Sequence, residues 1–170
     1  KNIYIPKVNF LKKIIKQRIN ILDLGAGGGH FLKALEIKKI KAQGVEPSKA
    51  LSELGNSKLK KNKISNLSLS ETYKILETQR DYNTVSLIGV LEHLIDPNLM
   101  LKSFLKSNAK FLYISVPLLS LSVFSSHHFL LVGFLNQKQV MLALPKSRLI
   151  QCFWVILRVR YLIQDRMCED

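Results

Sequence analysis

Hydrophobic and polar positions along this chain change period several times. Over residues 8–18, Val8, Leu11, Ile14 and Ile15 recur at helical spacing with lysines on the opposite side, which predicts an amphipathic helix. Residues 19–24 form a short apolar run closed by glycines, the pattern of a buried strand. Helical spacing returns over 29–38 through Phe31, Leu32, Leu35 and Ile37. A second strand is expected over 41–46. After Pro47, Ser48 is placed to cap a helix running to about Leu59. Residues 58–63 (KLKKNK) read as a solvated basic connection, 64–69 as a third strand and 71–79 as a short helix. A strand over 82–88 ends at Gly89. Asp96-Pro97 then opens a helix whose apolar side carries Leu99, Leu101, Phe104 and Leu105, and a strand over 110–116 is stopped by Pro117. Strands alternating with helices give an α/β fold: a Rossmann-like, mostly parallel sheet with helices on both faces.

Beyond Pro117 the periodicity weakens. Residues 149–163 are apolar but carry Arg158 and Arg160, and no stretch offers ~20 uninterrupted apolar residues, so no transmembrane span is expected. Trp154 with its flanking arginines suits a buried element, or a segment lying on a membrane surface. A length of 170 residues suits one domain, and a hydrophobic content of 47% is enough for a core. Two cysteines, Cys152 and Cys168, exclude a disulfide scaffold or a four-thiolate zinc site. With no signal-peptide pattern at Lys1-Asn2-Ile3-Tyr4, the expected place is the cytoplasm. The chain opens on Lys1 rather than Met, as a fragment or trimmed chain would.

Charge is unevenly spread. Residues 1–63 hold 15 basic and 4 acidic residues, which accounts for most of the net +14. Such a half suits a nucleic-acid or other polyanionic partner. A coding bias explains it equally, since 20 of the 26 basic residues are Lys and 6 are Arg. Bidentate base readers favour Arg.

The chemistry concentrates in Asp23-Leu24-Gly25-Ala26-Gly27-Gly28-Gly29-His30, where a strand turns into a helix. Glycines there allow a tight turn and a close ligand approach, and the helix start adds N–H donors. Glu46 ends the next strand, where a carboxylate can accept hydrogen bonds from two ribose hydroxyls. A dinucleotide fingerprint starting at Gly25 requires glycine at position 30, which is His30. That weakens a nicotinamide-cofactor reading.

Asp23-Leu24-Gly25-Ala26-Gly27 resembles motif I of the class I S-adenosylmethionine-dependent methyltransferases. The segment from Asp81 to Pro97, with Val90-Leu91-Glu92-His93-Leu94-Ile95-Asp96-Pro97, resembles that superfamily's fourth strand and its VLEHL-x-DP segment. This form is found in ubiquinone-type O-methyltransferases and in bacterial cell-surface and small-molecule methyltransferases. Tyr113-Ile114-Ser115-Val116-Pro117 resembles the fifth strand and its exit. The resemblance covers about residues 8–120 of a single 1–170 domain.

It implies S-adenosyl-L-methionine as cofactor. Asp23, Leu24, Gly25, Ala26 and Gly27 would wrap its methionine part, Glu46 and Pro47 its ribose, and Gly89 and Val90 would complete the site. Many relatives carry an acid at the position of Gly89, and in some it joins the Glu-His pair on a metal. With Gly89, no metal site is expected. His93 is the first candidate base, His127 and His128 the second, and His30 packs at the helix start without a proton-transfer role. His127-His128 and Asn136-Gln137-Lys138-Gln139-Val140 would be remnants of a substrate-side insertion and helix, and the C-terminal strands are expected to be incomplete. The implied reaction is methylation of an oxygen on a small molecule or glycan precursor. An RNA acceptor docked on the basic half, or cofactor binding without turnover, are the alternatives.

Overall fold

The computed structural model describes residues 3–117 and the strand 139–145. Along the chain run α1 (Tyr4–Ile14), β1 (Asn20–Leu24), α2 (His30–Ile37), β2 (Lys41–Glu46), α3 (Lys49–Lys58), β3 (Lys63–Asn66) and α4 (Leu69–Thr78). Then follow β4 (Thr84–Ile88), a 3-10 turn (Leu91–His93), α5 (Pro97–Lys106), β5 (Phe111–Pro117) and β6 (Gln139–Pro145). One sheet has the order β3-β2-β1-β4-β5-β6, in which the first five strands are parallel and β6 runs antiparallel to β5.

Side chains alternate across β1, and this places the two cores. Leu22 and Leu24 face Leu76 of α4 and Met100, Leu101 and Phe104 of α5. Ile21 faces the opposite way, toward Val8 and Leu11 of α1 and Phe31, Leu32 and Leu35 of α2. Helices therefore cover both faces, as the alternation of elements requires. Local signals set their ends. Ser48 caps α3 by accepting from the Leu51 N–H. Ser68 and Glu71 form a reciprocal capping box on α4. Asp96 accepts from Asn98 and Leu99 ahead of α5, with Pro97 in its first turn.

Four features differ from the sequence expectation. The first helix starts at Tyr4 rather than 8 and stops at Ile14. Pro6 is accommodated because the first turn's N–H groups have no intrahelical partner to lose. The third strand is shorter, and Ser68 is the cap of α4 rather than strand. The 58–63 connection is not merely solvated. Glu36 Oε1 accepts the backbone N–H groups of Lys60, Lys61 and Asn62 at 2.9, 2.6 and 2.8 Å. Finally, Gln139 and Val140 belong to β6, not to a helix remnant, and the Gln139–Pro145 strand extends the sheet beyond β5. His127, His128, Trp154, Cys152 and Cys168 lie outside the described residues. Among the described residues, no helix is long and apolar enough to cross a membrane.

Candidate active site

The strand order reverses between β1 and β4, so the connections leaving these strands part at the sheet's carboxyl edge and leave a crevice there. The residues singled out in the sequence meet at this edge. Asp23 is 2% exposed, on the α1/α2 side of β1, and its Oδ1 accepts from the Ser86 hydroxyl of β4 at 2.6 Å. Burial pushes its carboxyl up to about 7; the Ser86 bond works against that, and the nearby charge of Glu46 adds to it.

After Leu24 the chain folds back over β2. The N–H groups of Gly25 and Ala26 both donate to the Val45 carbonyl, at 2.8 and 3.0 Å. Gly25 has φ +70°, and a Cβ there would lie 2.5 Å from Val90 Cγ2. Only a bare Cα lets the β4 exit come this close, so Gly25 and Val90 are brought together by geometry. Gly27 also has a left-handed φ, +51°, yet a Cβ there would meet nothing within 4 Å among the described residues. Among those residues its face of the loop is uncovered.

Glu46 closes the arrangement from β2. It is 8% exposed, and it accepts the Gly27 N–H on Oε2 at 2.8 Å and the Ser48 N–H on Oε1 at 2.9 Å. Next to it, the Asn66 amide donates to the carbonyls of Glu46 and Pro47. At β4, Gly89 has φ +65° and donates its N–H to the Ser115 carbonyl. Glu92 Oε2 is buried without a hydrogen-bond partner among the described residues. His93 ends the 3-10 turn with an exposed side chain, its N–H bonded to the Val90 carbonyl. His30 opens α2, exposed, its ring stacked on Tyr4 at 6.0 Å between centroids.

Two residues of this region carry no role in the sequence expectation for the site. Lys7 of α1 is 4% exposed, and its Nζ donates to Ser115 Oγ of β5 at 2.9 Å. Burial lowers its pKa. Tyr113 lies under the same face, in register with Ser86 and thus two strands from Asp23. Burial and the Asp23 charge raise its pKa beyond the usual phenol range. Lys7 stands four residues before Leu11, on the buried side, a signal that emerges only once the helix is started at Tyr4. Among the described residues, no group of three or more His, Cys, Asp or Glu is placed to hold a metal ion.

A family model described as a methyltransferase domain matches residues 1–154. The chain belongs to this methyltransferase-domain family. Solved structures with the same fold include a SAM-dependent methyltransferase from Archaeoglobus fulgidus, 22% identical over 70% of this chain and 54% of that one, TM-score 0.55. The plantazolicin methyltransferase BpumL, solved with SAH and a desmethylPZN analogue, is 15% identical over 69% and 46%, TM-score 0.58. The bifunctional kinase-methyltransferase WbdD is 15% identical over 65% and 26%, TM-score 0.53. The chain thus spans about half, or less, of the length of these family-fold structures. No curated protein matches the sequence.

Proposed function

We propose that this chain is an S-adenosylmethionine-dependent methyltransferase domain, spanning 1–170 with its cofactor core in 8–120, that methylates an oxygen of a small molecule or glycan precursor. The observation that carries the reading is the Glu46 carboxylate. It has about four acceptor sites. Two are taken by the N–H groups of Gly27 and Ser48. Two are left at the crevice, the number that a pair of vicinal ribose hydroxyls needs.

The surrounding residues fit the same molecule. Open space over Gly27 admits a ligand against the bare loop. The first turn of α2 has no side-chain cap, so its N–H groups are available to a carboxylate. Asp23 supports the loop from below and sets its charge near the cofactor's ammonium group. Leu24, Gly25 and Ala26 shape the turn, Pro47 flanks the ribose, and Gly89 and Val90 offer backbone groups from the β4 side. S-adenosylmethionine, when bound, supplies a methyl group on a sulfonium sulfur whose departure is already favourable. The protein's task is then to align an acceptor oxygen and keep water out. His93 is the proposed base for that oxygen, imidazole being the side chain most often used for such proton transfer.

An RNA acceptor gains no support from the placement of charge. Lys12, Lys16, Arg18, Lys38, Lys39 and Lys41 line a cleft that also takes in Asn20 at the start of β1. That is the amino edge of the sheet, opposite the crevice. The test of the proposed function is transfer of a labelled methyl group from S-adenosylmethionine to phenolic, carboxylic and sugar-hydroxyl acceptors. Transfer that is lost in Glu46→Ala and reduced in His93→Ala supports the reading. Undiminished transfer in both variants contradicts the site, and cofactor binding without transfer to any acceptor favours a binding protein without turnover.

A further inference from the structure

The amino edge of the sheet holds a cleft of about 370 Å³, within the size range of small-molecule sites of about 300–1,000 Å³. It lies between the last turn of α1, the loop into β1, the end of α2 and the start of β2. Six cations line it: Lys12, Lys16, Arg18, Lys38, Lys39 and Lys41. Among the described residues, no carboxylate lines it and none of the six is in an ion pair. Helix macrodipoles explain a cation near the end of α1 and another near the end of α2. They do not explain the remaining cations, which share a space whose dimensions are comparable to the screening length of about 8 Å and therefore repel one another.

One further observation points to a ligand. Lys39 occupies a left-handed position at φ 57°. It follows the end of α2, where Lys39 N–H bonds Glu36 O and Ile40 N–H bonds Leu35 O. This is a Schellman turn, whose left-handed position favours glycine. A lysine is held there against its backbone preference, with its charge on the cleft.

We propose that this cleft is a second binding site, for a small diphosphate-bearing anion, inorganic pyrophosphate being the simplest such molecule. The cations neutralise the diphosphate. The site is separate from the cofactor crevice and does not depend on the proposed methyl transfer.

The test is calorimetry on the full chain with uridine diphosphate, inorganic pyrophosphate and a short single-stranded RNA, with S-adenosylhomocysteine present in excess. Pyrophosphate and uridine diphosphate should each bind with a Kd of about 10–100 µM. Lys16→Glu/Lys41→Glu should weaken both about tenfold or more. Lys39→Gly should raise the melting temperature while weakening binding several-fold, which separates loss of the site from loss of the fold. S-adenosylhomocysteine affinity, measured separately, should be the same in all these variants. The proposal is overturned by absence of saturable binding of both small anions up to about 1 mM, or by unchanged affinity in the charge-reversed variant. RNA binding far tighter than either anion, with a steep salt dependence, would also overturn it by making the cleft a track for a polymer.

Discussion

The Glu46 carboxylate grips the amide of Gly27 at 2.8 Å, across the gap between the end of β2 and the loop leaving β1. One side chain thereby fixes the distance between the two parts of the crevice, before any ligand enters. The same carboxylate holds the first residue beyond Pro47 through the Ser48 N–H, so it ties together the end of β2, the glycine loop and the start of α3.

Gly25 and Gly27 share a left-handed backbone but differ in what surrounds them. Gly25→Ala meets both the αL penalty and Val90 Cγ2 at 2.5 Å, and should cost about 2–4 kcal/mol of stability. Gly27→Ala meets only the αL penalty of about 1–2 kcal/mol, but places a methyl where the ligand would approach. Chemical denaturation and S-adenosylhomocysteine titration should therefore separate them. Gly25→Ala loses stability first, while Gly27→Ala stays folded and loses affinity about tenfold or more. Adding Val90→Ala should recover part of the Gly25→Ala loss and none of the Gly27→Ala loss.

Asp23 should make stability depend on pH in an unusual direction. Its carboxyl titrates at about 7 in the fold against an ordinary value of 3.8, with burial the main cause. Between those values the folded state keeps a proton that the unfolded chain has released. This contribution to stability is complete below about pH 4 and is lost as pH rises through 7. Asp23→Asn, which keeps an acceptor for Ser86, should flatten the fall in melting temperature between pH 5 and 8. At pH 8 it should be at least as stable as the wild type, yet bind S-adenosylhomocysteine more weakly.

Glu36 acts with the opposite sign. Burial opposes its ionisation, but the N–H groups of Lys61 and Asn62, the Lys33 ammonium and the N–H of Lys60 together hold its carboxyl down at about 2. The stability it contributes is complete above its ordinary value of 4.5 and is lost as pH falls through 2. Glu36→Ala leaves three backbone N–H groups without their acceptor and should cost about 2–4 kcal/mol. Hydrogen exchange should speed up first at residues 60–62.

That Asp23, the glycines and Glu46 come together at one edge of the sheet was legible because the signals are local. Asp23, the glycines and Glu46 sit at strand ends, and the end of a parallel strand is a fixed place in the fold. Gly25 and Val90 were both expected in the site, but their contact depends on how the β4 exit lies over the loop and has no sequence spacing. Lys7 was missed because its helix was started at Val8, which put its lysines on the solvent side. Glu36 was missed because it captures a loop 24 residues or more away along the chain. The apolar alternation of Val140, Leu142 and Leu144 was available as a strand signal, but the polar residues before it drew the reading toward a helix.

The most direct test is calorimetric titration of S-adenosylhomocysteine into the wild-type chain, Glu46→Gln and Glu46→Ala, with each fold verified by circular dichroism. Saturable binding at one site is expected, with a loss of about 1–3 kcal/mol in Glu46→Ala and an intermediate loss in Glu46→Gln, whose amide still accepts but carries no charge. Equal affinity in all three folded proteins, or no binding by the wild type, would contradict it.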